Sequence, residues 1–293
     1  MSFRITTDST VDLTPMRLDE LQVPFASLHL SLDGEELDDD MRPETAQHLY
    51  VSMRGGKIGT TSQATVESFL SQWEPMVQAG EDILYIGFSS ALSGTVNSAT
   101  IARQQLLETY PEACIMIVDS LCASAGEGLL LEHACMLRDS GMSCKETYKT
   151  IENMKLKVHH WFTVDDLTYL RRGGRVSGAS AFVATLLGIK PVMHVNDEGK
   201  LIPLEKVKGR RKAIKRLYEH LLEKMDAAAT KIVTISQADC IEDAKRLKDM
   251  ILEKFPMIPV NIYSVGAVIG AHSGPGTLAL FFIGKQNTRQ SMG

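Results

Sequence analysis

Small hydroxyl side chains recur in this sequence wherever a short apolar run stops. Thr7-Asp8-Ser9-Thr10 closes the opening Phe3-Arg4-Ile5-Thr6. Thr60-Thr61-Ser62-Gln63 forms a polar loop of its own. Ser89-Ser90-Ala91-Leu92-Ser93-Gly94-Thr95 follows Ile83-Leu84-Tyr85-Ile86-Gly87-Phe88, and Asp119-Ser120 closes Ile115-Met116-Ile117-Val118. Ala271-His272-Ser273-Gly274-Pro275-Gly276 separates two late apolar stretches. Loops at the carboxyl ends of strands line the ligand crevice of α/β proteins. Uncharged hydroxyls and free backbone N–H groups at such a place suit a small anionic group, a carboxylate or a phosphate.

Ser93 with Gly94 and Thr95 is the strongest of these candidates. Glycine permits close backbone approach, and both hydroxyls can donate to an oxyanion. The same residues also make a capped helix start without a ligand, and the sequence leaves both readings open. Thr61-Ser62 shares that ambiguity. His272, in a Gly-Pro-Gly loop, is the histidine best placed for chemistry. Leu170-Arg171-Arg172-Gly173-Gly174-Arg175 gathers three guanidiniums around a glycine turn, fit for an anion, a protein partner or plain solvation. In residues 206–212, five cations open a helix against its macrodipole, which is unfavourable unless an acidic partner offsets it. Asp38-Asp39-Asp40 reads as a solvated loop.

The elements that must hold these residues alternate in the first half. Runs at 3–7, 83–88 and 115–118 are short buried strands of the parallel type, with helices over 64–79, 97–109 and 124–140 between them. The first helix opens at Ser62 or Thr65. The helix near 97 directs its N-terminal dipole at the Ser93 loop. The second half differs: strands at 158–164 and 191–207, the latter turning at Asn196-Asp197-Glu198-Gly199, predict antiparallel pairing. Helices over 209–226 and 239–255 and strands at 232–235, 260–265 and 278–283 follow. The expected architecture is α/β in two domains: 1–155, with a mainly parallel sheet flanked by helices, and 156–293, with antiparallel pairing.

Composition narrows the function. The chain has 293 residues, a net charge of -5, 44% hydrophobic and 23% charged residues. Nucleic acid is a poor partner for that charge balance, so the 206–212 cluster is not taken for a DNA site. Five cysteines with no CxxC spacing fit a reducing cytosol without disulfide framework or zinc site. No phosphate-loop, dinucleotide, GxSxG or HExxH pattern occurs, and no metal site is expected. The N-terminus reads as a strand, which argues against a signal peptide. The most apolar stretch, 179–193, is interrupted by Ser180, Gly188 and Lys190 and falls short of the roughly 20 residues of a membrane helix. A cytoplasmic protein is expected.

The ordered motifs also carry a family likeness. Thr7-Asp8-Ser9, Thr61-Ser62-Gln63, Ser89–Thr95 with Ser98-Ala99, Val118-Asp119-Ser120, Leu167–Arg175, Gly188-Ile189-Lys190-Pro191 and Gly270–Thr277 resemble, in this order, the bacterial DegV family along essentially the full length. The resemblance implies a two-domain lipid binder enclosing one long-chain fatty acid between its domains. It implies a non-enzymatic carrier subunit that presents the carboxylate to a separate ATP-binding fatty acid kinase subunit and holds the acyl phosphate for phospholipid synthesis. Thr61 and Ser93 would then bind the carboxylate, Ser62, Gly94 and Thr95 would shape the pocket, and His272 would lie beside the head group. Arg171, Arg175, Arg210 and Arg211 would be candidates for docking the kinase. No cofactor and no membrane insertion are implied. Ala64, Ala91 and Ser273 depart from the usual Pro, Gly and Thr and bear on pocket shape. The 14 methionines and 6% aromatic content suit an aliphatic tunnel as well as an ordinary core. The competing expectation is a serine hydrolase or acyltransferase with Ser93 as nucleophile, His272 as base and Asp119 or Asp8 as orienter.

Overall fold

The computed structural model describes residues 3–176, 188–285 and 289. Residues 179–187 of the interrupted apolar stretch lie outside them. In chain order the first half contains β1 (Phe3–Asp8), α1 (Pro15–Leu21), β2 (Phe25–Ala26), β3 (His29–Leu32), β4 (Glu35–Asp38), α2 (Pro43–Arg54) and β5 (Gly59–Ser62). There follow α3 (Val66–Gln78), β6 (Asp82–Gly87), α4 (Thr95–Thr109), β7 (Ile115–Asp119), α5 (Ala125–Asp139) and α6 (Cys144–Met154). A 3-10 turn at Lys155–Lys157 leads into β8 (Val158–Thr163) and α7 (Thr168–Arg172). Then come β9 (Ile189–Val195), β10 (Leu201–Lys208), α8 (Arg210–Lys224), β11 (Val233–Gln237), α9 (Ile241–Lys254), β12 (Val260–Ser264), α10 (Ala267–Ser273) and β13 (Leu278–Ile283).

Two main sheets organise the chain. The first is wholly parallel, in the order β2-β1-β6-β7. Its strands β6 and β7 are largely apolar because helices cover the sheet, whereas β1 buries Thr6, Thr7 and Asp8 among its apolar residues. The second runs β10-β9-β8-β13-β11-β12 and is antiparallel except for β11 beside β12. At its centre β13 buries all six residues, so Leu278–Ile283 reads as one apolar block. The β9–β10 hairpin turns where expected: Asn196 Oδ1 accepts from the N–H groups of Glu198 (3.1 Å) and Lys200 (2.9 Å), and Gly199 takes φ +74°. Local signals set the helix starts. Thr65, not Ser62, caps α3, accepting from Ser68 N at 3.1 Å, and Ser143 with Glu146 forms a capping box on α6.

A third, small antiparallel sheet, β4-β3-β5, was absent from the sequence expectation. Thr61 therefore lies on a strand paired with Leu30, not in a loop. This sheet packs with α2 against α10, and Leu30, Leu49 and Tyr50 share one apolar cluster with Val265, Ala267 and Ala271. A second cluster joins Ile5 and Leu84 of the parallel sheet to Phe162 and Phe281 of the mixed sheet through Leu129 and Leu130 of α5. Each fully buried side chain of this size contributes about 1.5–3 kcal/mol, so these shared clusters hold the two halves in register. Asp39 corrects another expectation. The Asp38–Asp40 segment is not simply solvated: Asp39 is 1% exposed and accepts from Met41 N, and burial pushes its carboxyl up to about 6.

Candidate functional site

Between the carboxyl end of the parallel sheet and one face of the mixed sheet lies a cavity of about 280 Å³. Its broad wall is apolar. Phe162, Phe281, Ala279, Val195 and Leu201 come from the mixed sheet, Phe88 and Leu92 from the end of β6 and its loop, and Val268 and Ile269 from α10. Ser124 and His160 also line it, but their polar atoms are occupied elsewhere. Ser124 Oγ donates to Asp12 and lies 3.2 Å from Ser236 Oγ. His160 Nε2 accepts from Ala123 N at 3.2 Å, which leaves Nδ1 to donate to Val158 O at 3.0 Å. These two residues thus present little polarity to the cavity.

Polar groups gather in one continuous cluster. Thr61 Oγ1 and His272 Nε2 are 2.7 Å apart. His272 packs on Gly173, so closely that a Cβ there would sit 2.1 Å from Nδ1. Gly173 O accepts from the Arg175 guanidinium at 2.5 Å, whose Nε donates to Leu92 O at 3.1 Å. Next along the loop come Ser93, whose Oγ is 2.9 Å from Thr95 Oγ1, and Gly94, which packs against the Gln63 amide. Gln63 Nε2 in turn donates to Ser98 Oγ at 2.8 Å. The circuit draws on β5, the α7 turn, the β6–α4 loop and the last turn of α10. Strand β5 and the last turn of α10 hold Thr61 and His272, and Arg175 ties the α7 turn to the loop that carries Ser93.

The electrostatics favour a neutral imidazole. Burial, and then the Arg175 charge, bring His272 down to about 4. With Nε2–H donating to Thr61 Oγ1, the threonine hydroxyl is free to donate onward into the cavity. Ser93 Oγ accepts from Thr95 N (3.3 Å), and when Thr95 Oγ1 donates to it as well its own proton is available to an acceptor. Ser273 adds a buried hydroxyl that lines the cavity and has no hydrogen-bond partner among the described residues. Such an atom is costly unless something bonds to it.

Several expected residues are placed differently. Thr61, Ser62, Ser93, Gly94 and His272 all line the cavity, Ser62 as an exposed residue. Thr95 does not; it is fully buried behind Ser93 and orients that hydroxyl, because its side chain is already inside the first turn of α4. His272 is not in the Gly-Pro-Gly loop but on α10, which Gly274 terminates at φ +80°. Arg175 lines the cavity, so the hydroxyls do have a neighbouring cation, and its side chain turns inward to the Leu92 and Gly173 carbonyls. Arg210 ion-pairs internally, 2.7 Å from Asp243 and 3.7 Å from Asp165. These acids supply the offset that a basic start to α8 requires. Arg171 and Arg211 are exposed. Ser273 and Gln63 were overlooked as site residues, although both sit inside quoted motifs.

A hydrolytic triad is not assembled. His272 Nε2 meets Thr61, whereas Ser93 meets Thr95. Asp119 holds Ser90 through both its N–H and its hydroxyl. Asp8 is buried, accepting from Tyr85, Thr10 and Phe88 N. Neither carboxylate orients His272.

Comparison with known proteins bears on the family and the fold. Residues 2–285 match the family described as "Uncharacterised protein, DegV family". A DegV domain-containing protein of Clostridium perfringens is 42% identical over 283 residues, covering 96% of this chain and 97% of the relative. A fatty-acid-binding DegV family protein from Thermus thermophilus superposes with a TM-score of 0.86 at 28% identity, over 97% of this chain and all of that one. DegV of Bacillus subtilis, a fatty acid binding protein, superposes with a TM-score of 0.82 at 29% identity, again over 97% and 100%. Match, identity and fold extend over nearly the whole sequence, and the chain belongs to the DegV family.

Proposed function

We propose that this protein binds one long-chain fatty acid, with the acyl chain in the apolar cavity and the carboxylate at Thr61 and Ser93. The observation that carries this reading is a cluster of hydroxyl donors, with Arg175 beside it, on a largely apolar cavity. An alkyl chain gains about 0.8 kcal/mol per buried CH₂, while the carboxylate must be compensated by hydrogen bonds. Thr61, backed by His272, and Ser93, backed by Thr95, supply two donors, and Ser273 a third. The fatty acid binding of the Thermus and Bacillus relatives supports the same ligand class.

On this reading two domains, 1–155 and 156–293, close on the ligand, and the protein is a carrier in the cytoplasm. It needs no cofactor and presents the carboxylate to a separate ATP-dependent kinase subunit. The acyl phosphate it then holds feeds phospholipid synthesis. The absence of an assembled triad around Ser93 favours a carrier over a hydrolase. Kinase docking falls to Arg171 and Arg211, the exposed members of the basic set, with Arg175 on the cavity side of the same loop. Among the described residues no helix is long and apolar enough to cross a membrane.

The test is native mass spectrometry of the purified protein, followed by organic extraction. An adduct that extracts as a fatty acid supports the carrier reading. A protein that stays bare after incubation with a fatty acid panel would overturn it. Phosphorylation of the bound acid by ATP and a partner subunit tests the finer role.

A further inference from the structure

At the opposite end of the parallel sheet from the cavity, three side chains from three separate segments converge. Asp82 is the first residue of β6, Cys114 immediately precedes β7, and Cys144 is the first residue of α6. The two sulfurs and a carboxylate oxygen all lie within 4.8 Å of one another. The backbone locks the arrangement: Ile83 N donates to Cys114 O at 2.8 Å, and the Ser143–Glu146 capping box fixes the start of α6. Cys144 is buried, whereas Asp82 and Cys114 are partly exposed, which leaves a route in from solvent.

From this geometry we infer a binding site for a thiophilic divalent cation, Zn²⁺ in particular, with Cys114, Cys144 and Asp82 as ligands. Two sulfur donors disfavour Mg²⁺ and Ca²⁺, which take oxygen sets, and suit zinc. Bonds of about 2.3 Å to sulfur and 2.0–2.2 Å to oxygen place tetrahedral donors about 3.5–3.8 Å apart. Each ligand therefore moves by about an ångström or less to close on the ion. On binding, the two thiols release their protons to solvent, and each thiolate and the carboxylate give a lone pair to the metal. A water fills the fourth position, and no redox change occurs. The three protein ligands leave the complex with one net negative charge, which the neighbouring Lys145 offsets. The first turn of α6 contributes its positive dipole end to the Cys144 thiolate.

The site is independent of the lipid. Asp82 begins the six-residue β6 and Phe88 directly follows it, and at about 3.3 Å per residue this separates the ion from the cavity by roughly 20 Å. No sequence motif could show it, because the donors come from distant segments and meet only through the sheet.

The experiment is a Co²⁺ titration of the reduced, chelator-treated full chain, followed by Zn²⁺ competition. One equivalent is expected to give a near-ultraviolet thiolate-to-cobalt band with tetrahedral visible bands, both abolished by Zn²⁺. Cys114→Ser, at the partly exposed position, is expected to halve the thiolate band and weaken Zn²⁺ binding at least tenfold. Asp82→Asn is expected to keep the band while weakening binding at least tenfold. Both variants retain fatty acid binding, which certifies the fold where Cys144→Ser, a buried change, would not. No thiolate band in the wild type, or an unchanged band in Cys114→Ser, would overturn the proposal.

Discussion

Replacing Gly173 by Ala tests how the proposed carboxylate site is held together. The residue caps α7 at φ -73° and ψ -10°, a conformation alanine adopts freely. The added methyl would nevertheless lie 2.1 Å from His272 Nδ1, 3.0 Å from Cε1 and 3.2 Å from Cγ. Ordinary carbon contacts begin near 3.5 Å, so the imidazole must retreat by about 1.4 Å. That displacement takes the 2.7 Å Thr61–His272 bond beyond hydrogen-bonding distance. A neutral bond of this kind contributes about 0.5–1.5 kcal/mol, so fatty acid affinity is expected to fall about two- to twelvefold. Fold stability should fall modestly, because the displaced imidazole loses its bond to Thr61 and part of its packing. Titration with a fluorescent fatty acid, with thermal denaturation as control, reads both effects. The effect should nearly vanish in a His272→Ala background, where the methyl has room. A folded Gly173→Ala that binds like wild type, or one equally impaired when His272 is already gone, would refute the reasoning.

Other substitutions probe the same chemistry and the buried titratable groups. Ser93→Ala and Thr61→Val should each weaken fatty acid binding about ten- to a hundredfold, the equivalent of one charge-assisted bond of about 1.5–3 kcal/mol, whereas Thr61→Ser should retain most affinity. Asp12, which accepts from Gly266 N and Ser124, is pushed up by burial from 3.8 to about 8. A raised folded value means that its contribution is full below the unfolded value and is lost as pH rises through 8. The stability of Asp12→Asn relative to wild type should therefore improve steadily from pH 5 to pH 8, and a constant difference in urea midpoint would contradict the assignment. His194 is brought down from 6.5 to about 3 by burial, so its contribution is present above 6.5 and lost as pH falls. The wild-type advantage over His194→Asn should shrink by about 1.4 kcal/mol per pH unit below 6.5. An advantage independent of pH would count against a neutral buried imidazole.

The main strands and helices were legible because each imposes its own period or buried run. The strand run 83–88 and the helices 97–109 and 124–140 fall within a residue or two of β6, α4 and α5. What sequence could not show is tertiary in origin. Gly59–Ser62 has no apolar alternation; it becomes a strand only because β3 pairs with it. The two-residue β2 is likewise defined by its neighbour β1. Asp39 looks solvated among three consecutive acids, yet α10 and the Ser9 turn close over it. In the cavity, hydroxyl loops pointed to Ser93 and Thr61, but a side chain's direction is not encoded in its loop. Thr95 turned inward to Ser93, and Arg175 folded back to two carbonyls instead of facing solvent.

Arg175 shows why such a site can hold an anion without locking it in a tight ion pair. Its guanidinium is already engaged by Leu92 O and Gly173 O, so part of its donor capacity is spent on positioning the loop that carries Ser93. The charge still acts over the short distance to the cavity and adds to burial in keeping His272 neutral. A carboxylate there therefore meets neutral hydroxyl donors directly and a cation at one remove. A fully bidentate Arg–carboxylate pair would be stronger and would occupy both carboxylate oxygens. With hydroxyl donors, one lone pair or more stays open, which is what transfer to that oxygen on the proposed carrier reading requires. The arrangement trades binding strength for accessibility, and the Arg175→Lys variant separates the two. Lysine keeps the charge but cannot span both carbonyls in the fixed guanidinium fork. Fatty acid binding should then weaken through the displaced Ser93 loop while the low pH dependence of His272 persists. If affinity instead stayed at the wild-type level, the carbonyl contacts would have no part in placing Ser93.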